Sequence, residues 1–95
     1  MPRRRRRRRV GFRPNQTYFG PGRGRANAEV VLKVEELEAV RLKDEKGLSQ
    51  VEAAEKMDVS QPTFSRILDS ARNKIADALV NGKALRIEGG DYEMV

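Results

Sequence analysis

Between residues 61 and 73 the chain places Gln61, Pro62, Thr63, Ser65, Arg66, Asp69, Arg72 and Asn73, a set rich in short hydroxyls, amides and guanidinium groups. At about 100° per residue, Phe64, Ile67, Leu68, Ala71, Ile75, Ala78 and Leu79 form one apolar stripe, and Arg66, Asp69 and Asn73 fall on the opposite side. Gln61 suits a bidentate pair with adenine, and Arg66 one with the O6 and N7 of guanine. Thr63 and Ser65 suit phosphates or base edges, whereas Arg72, Asn73 and Lys74, further along, suit the phosphate backbone. This is the chemistry of recognition rather than of bond breaking.

Such a helix must be braced, and the preceding residues supply the brace. Residues 49–69 read as two short helices joined by a tight turn. Val51, Ala54 and Met57 recur every three residues and give the first helix a buried face. Ala54 is small enough for the two helices to cross closely. Met57-Asp58-Val59 forms the turn, with Val59 pointing inward as its plug. Ser60 is placed as an N-cap. Pro62 sits in the first turn, where a missing N–H costs nothing. The pattern is that of a helix-turn-helix, whose second helix can enter the DNA major groove. The blander alternative is a pair of amphipathic helices in a small bundle with no partner in any groove. Asp58 stands where a positive φ, and so usually Gly, is expected; Asp tolerates that region better than most residues.

Composition narrows the remaining classes. The chain has 95 residues, 38% of them apolar and 36% charged, enough for one domain with a small core. It holds no Cys and no His, which excludes disulfides, zinc fingers and Cys or His nucleophiles. No apolar run approaches the roughly 20 residues that span a bilayer, and no apolar stretch follows the charged N-terminus as in a secretory signal. A cytoplasmic protein with no membrane partner is expected. The net charge of +6 conceals a division. Residues 1–25 carry ten Arg and no acid, and residues 26–95 carry ten Lys and Arg against fourteen Asp and Glu, so +10 and −4 give the total. A basic arm therefore precedes a mildly acidic domain. The acids fall on helix faces, where solvation or pairing four residues apart accounts for them. No Gly-rich phosphate loop follows a strand, so no enzyme, metal site or cofactor is expected.

Along the chain, residues 1–9 read as a disordered arm, because the guanidinium groups of Arg3, Arg4, Arg5, Arg6, Arg7, Arg8 and Arg9 repel one another. If all seven neutralised phosphates, the salt dependence of binding would steepen by about six units. Residues 10–26 read as an extended Gly/Pro segment whose Phe12, Tyr18 and Phe19 dock on the domain. Residues 27–95 form that domain. Glu29 to Val34 and Ala84 to Glu88 read as short strands that pair and seal the core. Between them come a helix over about residues 35–45, stopped at Gly47, and the two motif helices, the last ending at Asn81-Gly82. Arg41 is expected to tie helices together through a carboxylate. The expected fold is mostly α: a three-helix helix-turn-helix domain of winged-helix-like size, with two short flanking strands and a disordered basic N-terminal arm.

The runs Glu-Leu-Glu-Ala-Val-Arg-Leu (36–42), Glu55-Lys56-Met57-Asp58-Val59-Ser60 and Ala71-Arg72 are similar to the DNA-binding fourth region of bacterial sigma factors. The whole chain resembles a family of small archaeal and bacterial proteins of uncharacterised function, predicted to bind DNA. Arg9-Val10-Gly11-Phe12, Pro14, Tyr18-Phe19-x-Pro21, the 36–42 run and Ala78-Leu79-Val80-Asn81-Gly82-Lys83-Ala84-Leu85 carry that resemblance. Two features depart from it: Asp58 in place of the turn glycine, and an N-terminus of nearly pure Arg. Some members join a domain that binds an iron–molybdenum cofactor, and nothing in this chain corresponds to it. The resemblance implies sequence-specific binding of double-stranded DNA and transcription regulation. One reading helix is a small surface, so a homodimer is expected, with Leu85, Ile87, Tyr92 and Met94 as its apolar contacts. RNA polymerase or another regulator is a further expected partner, by analogy with sigma region four. RNA binding through the arginine and aromatic arm is the alternative function, as is a sigma-like protein-interaction module.

Overall fold

The structure is a computed structural model, and it describes residues 7–22 and 28–95. The helical part is built as its sequence dictates. Helix α1, Val34–Val40, continues into a π-helical turn, Arg41–Glu45. There the Lys46 N–H donates to the Arg41 carbonyl (2.9 Å) and the Leu48 N–H to the Leu42 carbonyl (3.1 Å). Helix α2, Gln50–Met57, starts at Ser49, whose hydroxyl accepts the Glu52 N–H while the Glu52 carboxylate accepts the Ser49 N–H. Helix α3, Gln61–Asn81, starts at Ser60 and ends at Gly82, whose φ of 64° is a left-handed termination that a Cβ would strain.

Among the described residues five short strands complete the fold, not the two expected flanking ones: β1 Arg8–Val10, β2 Tyr18–Phe19, β3 Glu29–Leu32, β4 Ala84–Ile87 and β5 Tyr92–Met94. The two anticipated strands, β3 and β4, do pair, in parallel, and β2 adds antiparallel on the other side of β4. β1 and β5 form a separate parallel pair. These additional strands are two or three residues long, too short for an alternating pattern to reveal them, and they form only because distant segments meet.

Two apolar clusters lie along α3. Around its first half, Phe64, Ile67 and Leu68 pack with Ala39, Leu42, Ala53, Ala54 and Met57, with Val59 against the cluster as the expected plug. Around its second half, Ala71 packs with Val10, Leu32, Val34 and Ile87. Two apolar expectations are corrected. Val51 is 46% exposed, because the short α2 turns Ala53, Ala54 and Met57 inward instead. Leu79 is 78% exposed, because α3 runs past the elements that cover its middle.

The basic arm is also revised. Within its described residues, 7–9, Arg8 and Arg9 lie in β1, and the fully buried Val10 anchors the segment. The expectation of disorder at Arg3 to Arg6 lies outside the described residues. Of the three aromatics, Phe12 docks as expected, while Tyr18 and Phe19 remain 48% and 53% exposed along β2. Ile87, Leu85 and Tyr92, expected as partner contacts, instead pack within this chain.

Candidate nucleic-acid interface

The turn between α2 and α3 is set by backbone chemistry. Asp58 adopts φ 57° and ψ 46°, the left-handed conformation expected at that position. The Asp58 N–H donates to the Glu55 carbonyl and the Val59 N–H to the Ala54 carbonyl, each at 3.0 Å, closing α2 before the chain reverses. The Ser60 hydroxyl then accepts the Thr63 N–H at 3.2 Å and lies 3.0 Å from the Thr63 hydroxyl, to which it donates. Gln50 Nε2 donates to the Gln61 carbonyl at 3.3 Å, so the starts of the two helices are tied directly.

With Phe64, Ile67, Leu68 and Ala71 buried, the other side of α3 faces outward. Gln61, Pro62, Arg66, Asp69 and Asn73 are exposed there, and Thr63 and Ser65 are half-buried at its margin. From Gln61 to Asn73 this side runs about 18 Å at 1.5 Å per residue. No hydrogen bond or ion pair engages the Arg66 guanidinium among the described residues, so Arg66 does not pair with Asp69 or Ser70. Arg72 is different. Its Nε and Nη2 bind the two Asp44 carboxylate oxygens at 3.1 and 2.5 Å, fastening α3 to the π-helical turn. This pairing holds the Asp44 carboxyl below its usual range and raises that of Arg72. Lys74 is likewise engaged, with Nζ 2.7 Å from Glu36. Of Arg72, Asn73 and Lys74, Asn73 alone is left uncommitted among the described residues.

What sequence reasoning missed is the role of the acids of α1. Glu35, Glu36 and Glu38, assigned to helix faces where solvation or pairing four residues apart would account for them, are only 4%, 4% and 2% exposed. Each serves a different element. Glu36 accepts from the Lys33 N–H (2.8 Å), the Ser70 hydroxyl (2.5 Å) and Lys74. Burial pushes its pKa up, but those donors outweigh burial and leave it below the ordinary value. Glu38 accepts from Arg41 Nε at 2.6 Å and from the Gly11 N–H at 2.7 Å. The Arg41 guanidinium also lies 4.7 Å from the centre of the Phe12 ring. Arg41 is thus structural as expected, but it ties α1 to the segment after β1 rather than to another helix. Glu35 accepts the Asp91 N–H at 3.2 Å and stands 3.7 Å from Arg8 Nη1. Its carboxylate occupies the space that a side chain at Gly90 would need, at a backbone φ of 109°. Lys33 and Arg41 are near in the sequence, but Gly11, Ser70, Lys74 and Asp91 come from segments far away, and their arrival is what buries these acids.

The arm arginines are therefore partly committed. Arg8 faces Glu35, Arg7 lies 3.8 Å from Asp91, and Arg9 is exposed. Among the described residues, no cluster of three acids is arranged to hold a metal ion, and no helix is long and apolar enough to cross a membrane.

Compared with known proteins, residues 1–95 match the family described as Protein of unknown function DUF134. A UPF0251 protein of Caldicellulosiruptor bescii is 64% identical over 92 residues, covering 97% of this chain and 65% of the relative. One from Moorella thermoacetica is 62% identical over 90 residues, covering 93% and 60%. One from a Thermoanaerobacter species is 56% identical over 96 residues, covering 99% and 85%. The chain thus spans less than two thirds of the length of the first two relatives. No solved structure matches.

Proposed function

The chain belongs to the DUF134 family of proteins of unknown function, and from its own geometry we propose that it binds double-stranded DNA sequence-specifically, as a transcription regulator. In this reading α2, the Asp58 turn and α3 form a helix-turn-helix, with the first turns of α3 against the base edges of the major groove. Gln61 and Arg66 read bases. Thr63, Ser65, Asp69 and Asn73 line the same side, and Pro62 starts it. The observation that carries the proposal is the uncommitted Arg66, exposed on a helix whose opposite face is locked into the Phe64 cluster. A guanidinium left free while Arg72 and Arg86 each find a carboxylate within the fold is available to an outside partner.

The domain itself offers little to phosphate, because Arg72 and Lys74 are already paired. Non-specific attraction falls to the arginine tract, Arg3 to Arg9, on phosphates or in an adjoining minor groove. Arg7 and Arg8 have carboxylates nearby and contribute less than the seven-arginine slope assumes.

Selection of bound duplexes from a random pool tests the proposal. An enriched sequence should emerge, and Arg66→Ala should weaken binding to it by about 5- to 150-fold, equivalent to about 1–3 kcal/mol, with binding to unrelated duplexes little changed. A pool that yields no enriched sequence, or an Arg66→Ala chain that selects the same one with equal affinity, overturns it.

A further inference from the structure

The far end of α3 carries a second surface. A cleft of about 510 Å³ opens between the last turns of α3 and the β2–β4–β3 sheet, with Phe19, Pro21, Leu37, Ile75, Leu79 and Leu85 among its walls. Two of those walls stand out from the molecule, Phe19 at 53% and Leu79 at 78% exposure, and Val80 beside them is 80% exposed. Among the described residues, the one cation lining it, Lys83, is bound to Asp77 at 3.0 Å.

We propose that this surface is a two-fold interface with a second copy of the chain, and that it sets the spacing of the two reading helices; the spacing rests on the DNA reading above, the interface does not. Two observations favour a second copy over other occupants, and a third joins it to the DNA reading. A projecting apolar ridge, Leu79 and Val80, lies directly beside an apolar hollow, so one patch holds both halves of a self-complementary joint, as an isologous contact requires. The Asp77–Lys83 pair sets opposite charges side by side within the patch, so it adds no net charge where two copies would meet. The third observation is dimensional. Leu79 is 13 residues beyond Arg66 on one unbroken helix, or about 20 Å at 1.5 Å per residue. Two copies meeting at Leu79 therefore hold their Arg66 side chains up to about 40 Å apart, a reach that includes the 34–36 Å between successive major grooves on one face of DNA. The two residues also project about 140° apart around the helix, so the joint leaves the reading side uncovered.

The experiment is sedimentation equilibrium of the full chain at micromolar concentration, on the wild type, Leu79→Asp and Val51→Asp. Leu79 and Val51 are both exposed, so neither change disturbs the core, and circular dichroism checks this directly. The expected result is a dimer for the wild type and for Val51→Asp, and a monomer for Leu79→Asp with unchanged helix content. On a duplex carrying two selected half-sites one helical turn apart, the wild type should bind cooperatively, and Leu79→Asp should lose at least about tenfold in affinity while keeping its affinity for a single half-site. A dimer that binds no duplex removes the DNA reading and leaves the interface standing. A monomeric wild type, a Leu79→Asp chain that remains dimeric, or a monomer that takes up an apolar dye in the cleft overturns the interface.

Discussion

The two halves of the molecule along α3 are stabilised by different physics. The half around Phe64 is made almost wholly of residues 39–68, joined by apolar contacts and by hydroxyl caps at Ser49 and Ser60. The half around Val10, Leu32 and Ile87 gathers residues from 10 to 87, and beside it stand three buried carboxylates on α1, each receiving donors from a different part of the chain. The first half is local, with an apolar core and its paired carboxylates, Asp44 and Glu52, at the surface. The second is assembled from distant pieces and depends on charge. The side proposed to read DNA lies on the first, and the proposed subunit joint on the second.

The largest expected effect would break the first half. Phe64 is fully buried, and Phe64→Ala should cost about 3–5 kcal/mol in urea unfolding. Tyrosine fluorescence followed in the same titration sharpens the contrast, because Tyr18 and Tyr92 both sit on strands. Coincident midpoints for fluorescence and helix dichroism would make the halves one cooperative unit with α3 as the shared member. Separated midpoints would make them two.

Next in size is the charge dependence of the second half. Glu36→Gln should cost about 2 kcal/mol at neutral pH, because it weakens three donor contacts and leaves Lys74 without a carboxylate. The sign of its pH dependence follows from the lowered pKa of Glu36. The stability it contributes is fully present above its unfolded value of about 4.3 and is lost as pH falls through the lower folded value. Urea midpoints at stepwise lower pH should therefore fall further for the wild type than for Glu36→Gln. Equal losses would mean that Glu36 is not the group that couples this half to protons.

The smallest effect concerns the turn. Asp58→Gly places the residue without a Cβ penalty at φ 57°, and should stabilise the chain by about 0.5–1 kcal/mol. A loss of stability would show that the Asp58 side chain contributes more than its backbone strain removes.

This contrast also explains what the sequence disclosed. In the Phe64 half, spacing alone placed α2, the Asp58 turn, the Ser60 cap, Pro62 and the outward position of Gln61, Arg66, Asp69 and Asn73, because every determinant lies within a few residues of its effect. The β3–β4 pairing was legible from two β-branched runs that need each other's edge. The rest was not. Arg72 reads as free until Asp44, 28 residues away, is brought to it. Glu36 reads as solvated until Ser70 and Lys74 arrive from 34 and 38 residues away. β1 and β5 have no signal until each is beside the other. Val51 and Leu79 fit an apolar period but fall where no neighbouring element reaches them.

The pairing of β1 with β5 has a topological consequence. Residues 8–10 run alongside residues 92–94 in the same direction, and the Val95 N–H donates to the Val10 carbonyl at 3.0 Å. The polypeptide thus comes back to within one short strand, about 10 Å, of where it entered, so a linker of a few residues could close it into a ring and new ends could be cut at the exposed Lys46–Gly47 bend. Because the two strands are parallel, a domain grafted after Val95 would leave from the end of the strand pair opposite to the one at which Arg8 enters it.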